Sequence, residues 1–189
     1  MGRLYLIRHG KPAAVWGGED DDPGLDELGA AQARAAAEML MALPGDERPL
    51  HVASSPLRRC RETAEPLASA LGVGVDIDPA IGEIPTPRAL SHSDRPAWLR
   101  AAFAGSWSQI KGDLDYDDWR RAVVAAVATR DRTAVFSHFV AINAVLSVLA
   151  GEDAVIGFRP DHTSLTTLEV NEGRLRLLAR GREAATGVL

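Results

Sequence analysis

The sequence predicts an α/β fold, a three-layer α/β/α sandwich built on a mainly parallel sheet. Short apolar segments alternate along the chain with longer segments of helical periodicity, which is the pattern of strands joined by covering helices. The C-terminal region alternates between polar and apolar residues around Asn171-Glu172-Gly173, as a β-hairpin does. No internal repeat or low-complexity tract interrupts this order. We therefore expect a parallel sheet with an antiparallel edge contributed by the hairpin.

The first half of the chain is expected to supply three strands and two helices. Residues 25–43 have apolar residues at helical spacing, with Asp26 placed as N-cap and Pro44-Gly45 as terminator. The apolar positions at that spacing are Leu28, Ala31, Ala35, Met39 and Leu43. The second helix is predicted over 56–72, with Pro56 in its opening turn and Gly72 at its end. The strands are predicted at 3–8, 50–55 and 73–78.

The second half repeats the alternation after a less regular stretch. Residues 84–121 contain Trp98, Trp107 and Trp119 and are expected to form a helical insertion above the sheet. A strong strand is predicted at 133–137, an apolar helix at 139–151 and the terminal hairpin at 164–180. We expect residues 1–189 to form a single domain.

Composition excludes several classes of protein. A chain of 189 residues that is 46% hydrophobic can build the core of one ordinary domain. The net charge of -5 provides no basic field for nucleic acid, so a bound anion must be held by a few local cations. No apolar run is long enough for a membrane span, and the N-terminal one is too short for a signal peptide. The single cysteine, Cys60, precludes an internal disulfide and is typical of a reducing cytoplasm.

Charged and titratable residues follow several of the predicted strands. Arg8 and His9 follow the first strand, and His138 follows residues 133–137 at the start of a helix. Arg58, Arg59 and Arg61 follow the second strand, and Glu83 follows the third. In open α/β sheets ligands bind outside the carboxyl ends of the strands, and helix N-termini attract anions. The sequence therefore predicts one crevice lined by histidines, arginines and a carboxylate.

These motifs resemble those of the histidine phosphatase superfamily, which includes phosphoglycerate mutases and many small phosphatases. The matching segments are RHG at 8–10, SSPLRRCRETA at 54–64, Glu83 in AIGEIP, SHFVAINAVL at 137–146, and LDELGAAQARAAAEML at 25–40. The resemblance extends from Leu4 to the terminal hairpin and implies a phosphoglycerate mutase-like fold.

The resemblance implies roles for five residues. His9 is the nucleophile that becomes phosphorylated, while Arg8, Arg59 and His138 surround the nonbridging phosphate oxygens. Arg59 matches the family's S-x-L-x-R pattern when Ser54 or Ser55 sets the register, with Arg58 and Arg61 as alternatives. Glu83 protonates the leaving alcohol and then activates water. IPTPR follows it instead of the family's Gly-rich segment, so another carboxylate remains an alternative. No metal or cofactor is implied.

The sequence departs from the family pattern around the substrate. Phe139 stands where many relatives have glycine, so its backbone is expected at the phosphate and its side chain is expected to narrow the crevice. The acidic run at 19–22 is expected to repel polyanionic substrates if it lies near the site. Trp16 and the tryptophans of the insertion are candidates for an apolar pocket wall, although tryptophans more often pack in a core. His162 is a candidate for the pocket border.

We therefore predict a cytoplasmic, metal-independent phosphomonoester hydrolase that works through a phosphohistidine. The short insertion and the lack of the glycolytic mutases' long C-terminal tail favour a phosphatase over a phosphoglycerate mutase-like phosphotransferase. A catalytically silent module that binds phosphorylated ligands is the alternative from another class. The expected substrate is a small phosphorylated metabolite or a phosphoprotein. The sequence does not reveal the substrate, the oligomeric state or the role of Lys11.

Overall fold

A computed structural model describes residues 2–14, 20–91 and 93–185 and shows a six-stranded mixed sheet covered by helices. The strands are β1 Gly2–Arg8, β2 His51–Ser54, β3 Val75–Ile77, β4 Thr133–Ser137, β5 Leu165–Asn171 and β6 Arg174–Ala179. The helices are α1 Glu27–Met41, α2 Arg58–Leu71, α3 Arg95–Ala104, α4 Tyr116–Ala128 and α5 Phe139–Ala150.

The sheet has the strand order β3-β2-β4-β1-β5-β6. Strands β3, β2, β4 and β1 run parallel, whereas β5 pairs antiparallel with β1 and β6 pairs antiparallel with β5. In register, Arg8 lies beside Ser137, and Ser54 lies beside Phe136. The α/β fold with an antiparallel edge is thus confirmed, and the ends of β1, β2 and β4 meet at one edge of the sheet.

The central strands are buried on both faces, as a parallel sheet covered by helices requires. Leu4 and Leu6 of β1 pack in a core with α4 and α5, whereas Tyr5 and Ile7 pack in a second core with α1 and α2. Successive side chains of a strand point to opposite faces, so one apolar run supplies both cores.

Helix α1 forms as predicted, but the face that it buries is not the one that the apolar spacing indicated. The Asp26 carboxylate caps it by accepting a hydrogen bond from the Gly29 backbone N–H at 2.7 Å. Of the apolar positions that predicted the helix, Leu28 is 54% exposed and Met39 is 57% exposed. The buried residues are Gly29, Ala33, Ala36, Ala37 and Leu40. In so alanine-rich a helix, apolar periodicity indicates the helix but does not select the face that packs against α2.

The prediction that Pro56 lies in the opening turn of α2 is wrong, because the helix begins two residues later. Leu57 is its N-cap in an extended conformation, and Arg58 is the first helical residue, so Pro56 precedes the helix. The helix ends at Gly72, whose φ of 68° is the left-handed conformation that glycine adopts readily.

The predicted insertion contains α3 and the start of α4, and α4 continues to Ala128. Trp107 is fully buried against Trp119, with ring centroids 5.9 Å apart. Trp98 lies 5.7 Å from the Tyr116 ring. These tryptophans join the core above α5.

The terminal hairpin is confirmed. Glu172 and Gly173, with φ values of 50° and 73°, form the two-residue turn between β5 and β6. Within the described ranges, no helix has the length and apolarity that crossing a bilayer requires.

Candidate active site

The segment that carries His9 leaves β1 through a tightly packed turn. The His9 backbone N–H donates to the Ser137 carbonyl at 3.0 Å, and the Gly10 N–H donates to Thr63 Oγ1 at 2.9 Å. A Cβ at Gly10 would lie 2.7 Å from the Gly29 carbonyl oxygen. Glycine is therefore required at position 10, because α1 begins directly against this turn.

His9 is oriented as a neutral imidazole. Its Nδ1 lies 2.8 Å from the Gly10 carbonyl oxygen, which fixes the proton on Nδ1 and leaves Nε2 unprotonated. The Nε of Arg59 donates to that Nε2 at 3.3 Å. Burial and the charges of Arg59 and Arg8 hold the pKa of His9 well below its ordinary value. At neutral pH the ring is therefore uncharged and nucleophilic at Nε2.

Arg8 is buried beside His9. Its Nη1 donates to the Pro160 carbonyl at 2.9 Å, and its guanidinium carbon lies 5.3 Å from the centre of the Phe139 ring. Its Nε has no hydrogen-bond partner in the part of the chain that the structure describes. Burial lowers the pKa of Arg8 to about 10, so the side chain remains charged at neutral pH.

Arg59, rather than Arg58 or Arg61, reaches the site. Its Nη2 lies 3.3 Å from His138 Nδ1 and 3.9 Å from Glu83 Oε2. Arg58 and Arg61 are exposed, because they stand on other faces of α2. Thr63 stands one helical turn after Arg59, and its Oγ1 donates to the Arg59 backbone carbonyl oxygen at 2.6 Å. This bond helps to fix the Arg59 backbone at the start of α2.

His138 is buried at the start of α5, where it is the N-cap residue. Its Nε2 lies 2.7 Å from Ser55 Oγ, and its Nδ1 lies 3.3 Å from Arg59 Nη2. Burial and Arg59 hold the pKa of His138 well below its ordinary value. The Cys60 thiol packs 3.3 Å from the same Nε2, and burial raises the pKa of that thiol. A thiol held protonated in this way agrees with a packing role for Cys60.

Glu83 lies in the loop after β3, and its carboxylate approaches the His138 ring. Its Oε2 lies 3.5 Å from His138 Nδ1, while its Oε1 accepts from the Ile84 N–H at 3.0 Å. Burial raises the pKa of Glu83, an effect that Arg59 opposes. A carboxyl group that keeps its proton above the usual range is suited to proton donation.

The structure therefore brings the predicted residues together at one sheet edge. We call Arg8, His9, Arg59, Glu83 and His138 the inner end of the site.

His162 lies beside them, with its ring centre 5.9 Å from that of His9. Burial lowers the pKa of His162 to about 4. The expectation that it borders the pocket agrees with this position.

Two predicted substrate contacts have other outcomes. The Phe139 side chain is 4% exposed and packs inward between Arg8 and the Phe103 ring, whose centre is 5.5 Å away. The expectation that it narrows the crevice is therefore wrong, because α5 turns this ring toward the core. Trp16 lies outside the described residues.

Sequence reasoning missed Thr63 and the Pro160 carbonyl. Thr63 stands one turn after Arg59, a spacing that could have indicated it, whereas nothing in the sequence marks a backbone carbonyl. Thr163 has a φ of 55°, which is unusual for a β-branched residue, and its N–H donates to the Arg8 carbonyl at 3.0 Å. This turn places the Pro160 carbonyl against the Arg8 side chain.

The charges of Lys11 and Asp26 act on His162, that of Asp22 acts on Cys60, and Arg58 adjoins Arg59. We call Lys11, Asp21, Asp22, Asp26 and Arg58 the rim. Lys11 Nζ pairs with Asp26 at 2.6 Å, Arg95 pairs with Asp21 at 3.1 Å, and Asp22 accepts from the Arg58 N–H at 2.7 Å. Arg58 also pairs with Glu62 at 2.7 Å. Glu19, the first residue of the acidic run, lies outside the described residues. The cations of the rim are thus paired with carboxylates.

Two curated relatives match part of the chain. An uncharacterized protein of Mycobacterium tuberculosis is 31% identical over 125 residues, which are 59% of this chain and 60% of that protein. Glucosyl-3-phosphoglycerate phosphatase of the same organism is 39% identical over 84 residues, 43% of this chain and 36% of that protein. The matches therefore span less than two thirds of either relative.

Solved structures match nearly the whole chain. Native mycobacterial glucosyl-3-phosphoglycerate phosphatase superposes with a TM-score of 0.72 at 27% identity, covering 97% of this chain and 100% of that one. The same phosphatase has been solved with inorganic phosphate. A family model, the histidine phosphatase superfamily (branch 1), matches residues 4–182. With its sheet topology and the motifs at its sheet edge, the chain belongs to the histidine phosphatase superfamily.

Proposed function

We propose that this chain is a metal-independent phosphomonoester hydrolase that acts through a phosphohistidine on His9. The observation that carries the proposal is the unprotonated Nε2 of a neutral His9, held beside Arg59 and Arg8. A neutral imidazole with two buried cations beside it provides a nucleophile and compensating charge for a phosphoryl group.

In the first step the Nε2 lone pair attacks phosphorus and the P–O ester bond breaks. Glu83 gives its proton to the leaving oxygen, which departs as an alcohol. Arg8, Arg59, His138 and the Phe139 backbone N–H hold the nonbridging oxygens, and removing one such donor typically costs about 10²- to 10³-fold in rate.

In the second step the Glu83 carboxylate takes a proton from water, and the oxygen attacks phosphorus. The P–N bond breaks, its electron pair returns to His9, and inorganic phosphate leaves. Glu83 thus regains its proton for the next cycle.

The site supplies its positive charge through arginine, which supports chemistry without a metal. Among the described residues, no group of three or more His, Cys, Asp or Glu side chains has the arrangement to hold a metal ion. We further propose that the chain is one phosphatase domain, supported by the family match over 4–182, and that it works in the cytoplasm, supported by a single buried cysteine.

We propose a small phosphorylated metabolite or a phosphoprotein as substrate, and neither nucleic acid nor membrane as partner. The name of the mycobacterial relative, a phosphatase of glucosyl-3-phosphoglycerate, supports a phosphorylated small molecule.

Hydrolysis of p-nitrophenyl phosphate tests the nucleophile. We expect His9→Ala to reduce phosphate release to background, while the control His51→Ala, at an exposed position on β2, retains activity. An unchanged rate in His9→Ala would overturn the mechanism, and no release by the unmodified protein would indicate a silent binding module. Isomerisation of 3-phosphoglycerate faster than phosphate release would instead indicate a phosphotransferase.

A comparison of leaving groups tests Glu83. We expect Glu83→Gln to lose about 10²- to 10⁴-fold on an alkyl phosphate and much less on an aryl phosphate, whose leaving group needs little protonation. The exposed Glu65→Gln on α2 is the matched control. Equal losses on both esters would argue against an acid role.

A further inference from the structure

We infer that the Phe139 ring is a positioning residue for Arg8: the ring and the Pro160 carbonyl together hold the guanidinium so that its remaining N–H groups face the phosphate. The inference rests on the proposed function, because it concerns the same phosphate site. It assigns to the Phe139 side chain a role that its backbone N–H does not have.

Arg8 is fixed on two sides. Its Nη1 donates to Pro160 at 2.9 Å, and its guanidinium carbon lies 5.3 Å from the centre of the Phe139 ring. The residue is only 7% exposed. Within the described ranges, no carboxylate lies at ion-pair distance from Arg8, and its Nε has no hydrogen-bond partner. The side chain is thus held in place without a direct ion pair, while the charges of Glu83 and Asp161 act on it from a greater distance.

This arrangement solves a conflict in phosphate binding. An arginine has many rotamers, so it must be held to act as a preorganised donor. A carboxylate partner would hold it but would also neutralise the charge that the phosphate requires. An aromatic face attracts the guanidinium and restricts its plane while leaving both its charge and its N–H groups available.

Both supports are themselves held by neighbouring structure. The Phe139 ring packs against Phe103 of α3, at 5.5 Å between ring centres. On the other side, Thr163 N–H donates to the Arg8 carbonyl, and Arg8 N–H donates to Ser164 at 3.4 Å. The Arg8 guanidinium therefore lies between the Phe139 ring, which the insertion supports through Phe103, and the turn before β5, which supplies the Pro160 carbonyl.

Calorimetric binding of inorganic phosphate tests the inference. We expect Phe139→Leu, which keeps the apolar volume but removes the aromatic face, to weaken phosphate binding by about three- to ten-fold. Phe139→Tyr keeps the face and should restore most of the affinity. The matched control is Trp119→Leu, which removes a ring that packs on Trp107 in the same core and should change affinity by less than about two-fold.

A double-mutant cycle separates positioning from general packing. In an Arg8→Ala background, Phe139→Leu should weaken phosphate binding by less than about two-fold, because the group that it positions is gone. An equal loss in both backgrounds, or an equal loss in Trp119→Leu, would overturn the inference. If Phe139→Leu does not fold, Phe139→Met replaces it under the same criteria. Phosphate binding needs no turnover, so a failure of the proposed hydrolysis would show separately as bound phosphate without catalysis.

Discussion

The cations of the inner end and those of the rim differ in burial and in how closely they pair with carboxylates. At the inner end, Arg8 and Arg59 are buried, and among the described residues their shortest contact with a carboxylate is 3.9 Å, from Arg59 to Glu83. At the rim, Lys11 and Arg58 are exposed, and each pairs with a carboxylate at 2.6 or 2.7 Å.

The difference indicates what the site is shaped to receive. Buried charges without close partners cost free energy in the empty protein, and a bound anion offsets that cost. The exposed pairs at the rim are worth little in stability, but they leave no unpaired cation among the rim residues. The inner end can therefore compensate one bound phosphate, whereas the rim cations are already paired and offer little to a second anionic group.

The largest expected effect separates two adjacent arginines. Arg59→Ala should lower kcat/KM for p-nitrophenyl phosphate by about 10²- to 10³-fold, because it removes a donor at the reacting phosphate. Arg58→Ala should change it by less than about three-fold, since that side chain points to solvent and pairs with Glu62. Steady-state kinetics of both variants measures this, and similar losses would abolish the distinction between inner end and rim.

A pair of substrates tests the rim. Glycerol 3-phosphate should be hydrolysed with a kcat/KM about five- to ten-fold above that of 3-phosphoglycerate. Unit charges about 8 Å apart repel by roughly 0.5 to 2 kcal/mol between bulk-water and near-surface screening. Asp26→Asn, which frees Lys11 and retains a capping side chain, should narrow the ratio, as should high salt. The control is Asp46→Asn, at an exposed position after α1. A preference for 3-phosphoglycerate would show that the rim does not select against anions.

The histidines of the site make stability depend on pH. The pKa values of His9 and His138 are lowered in the folded protein, and that of His162 is lowered to about 4. Between each lowered pKa and the unfolded value of about 6.5, the unfolded chain binds more protons, so stability rises with pH. The raised pKa of Glu83 acts in the opposite direction between about 4.5 and its folded value, but only one proton is involved.

We therefore expect a larger free energy of unfolding at pH 7.5 than at pH 5, with a slope of up to about 1.4 kcal/mol per pH unit for each proton. Urea denaturation at both pH values measures it. His162→Asn should reduce the difference. A free energy of unfolding that falls between pH 5 and pH 7.5 would contradict the buried, neutral histidines.

The smallest effect concerns the rim carboxylate that also caps α1. Asp26→Ala should destabilise the protein by about 1 kcal/mol, because the Gly29 N–H loses its acceptor. Asp94→Ala is the matched control, because Asp94 is the N-cap of α3 but makes no side-chain capping bond. Denaturant titration compares the two, and equal losses would show that the capping bond contributes nothing measurable.

Much of the sheet and of the site could be predicted from the sequence. Strands such as 133–137 have strong local patterns, and parallel strands bring their carboxyl ends to one edge, so Arg8, His9 and His138 had to meet there. The motif register distinguished Arg59 from its neighbours.

Features decided by packing between distant segments could not be predicted. The buried face of α1 depends on α2, and the direction of the Phe139 ring depends on Phe103 and Arg8. The Pro160 carbonyl acts through the backbone, so its side-chain identity conveys nothing about the contact with Arg8.

The close approach of α1 to the turn that carries His9 restricts which residues position 29 can hold. A Cβ at Gly29 would lie 2.1 Å from the Lys11 carbonyl oxygen. Even Gly29→Ala must therefore displace either the helix or the turn that carries His9, although Gly29 has no side chain and touches no substrate. In a saturation mutagenesis scored by activity, position 29 should be as intolerant as the residues that perform the chemistry.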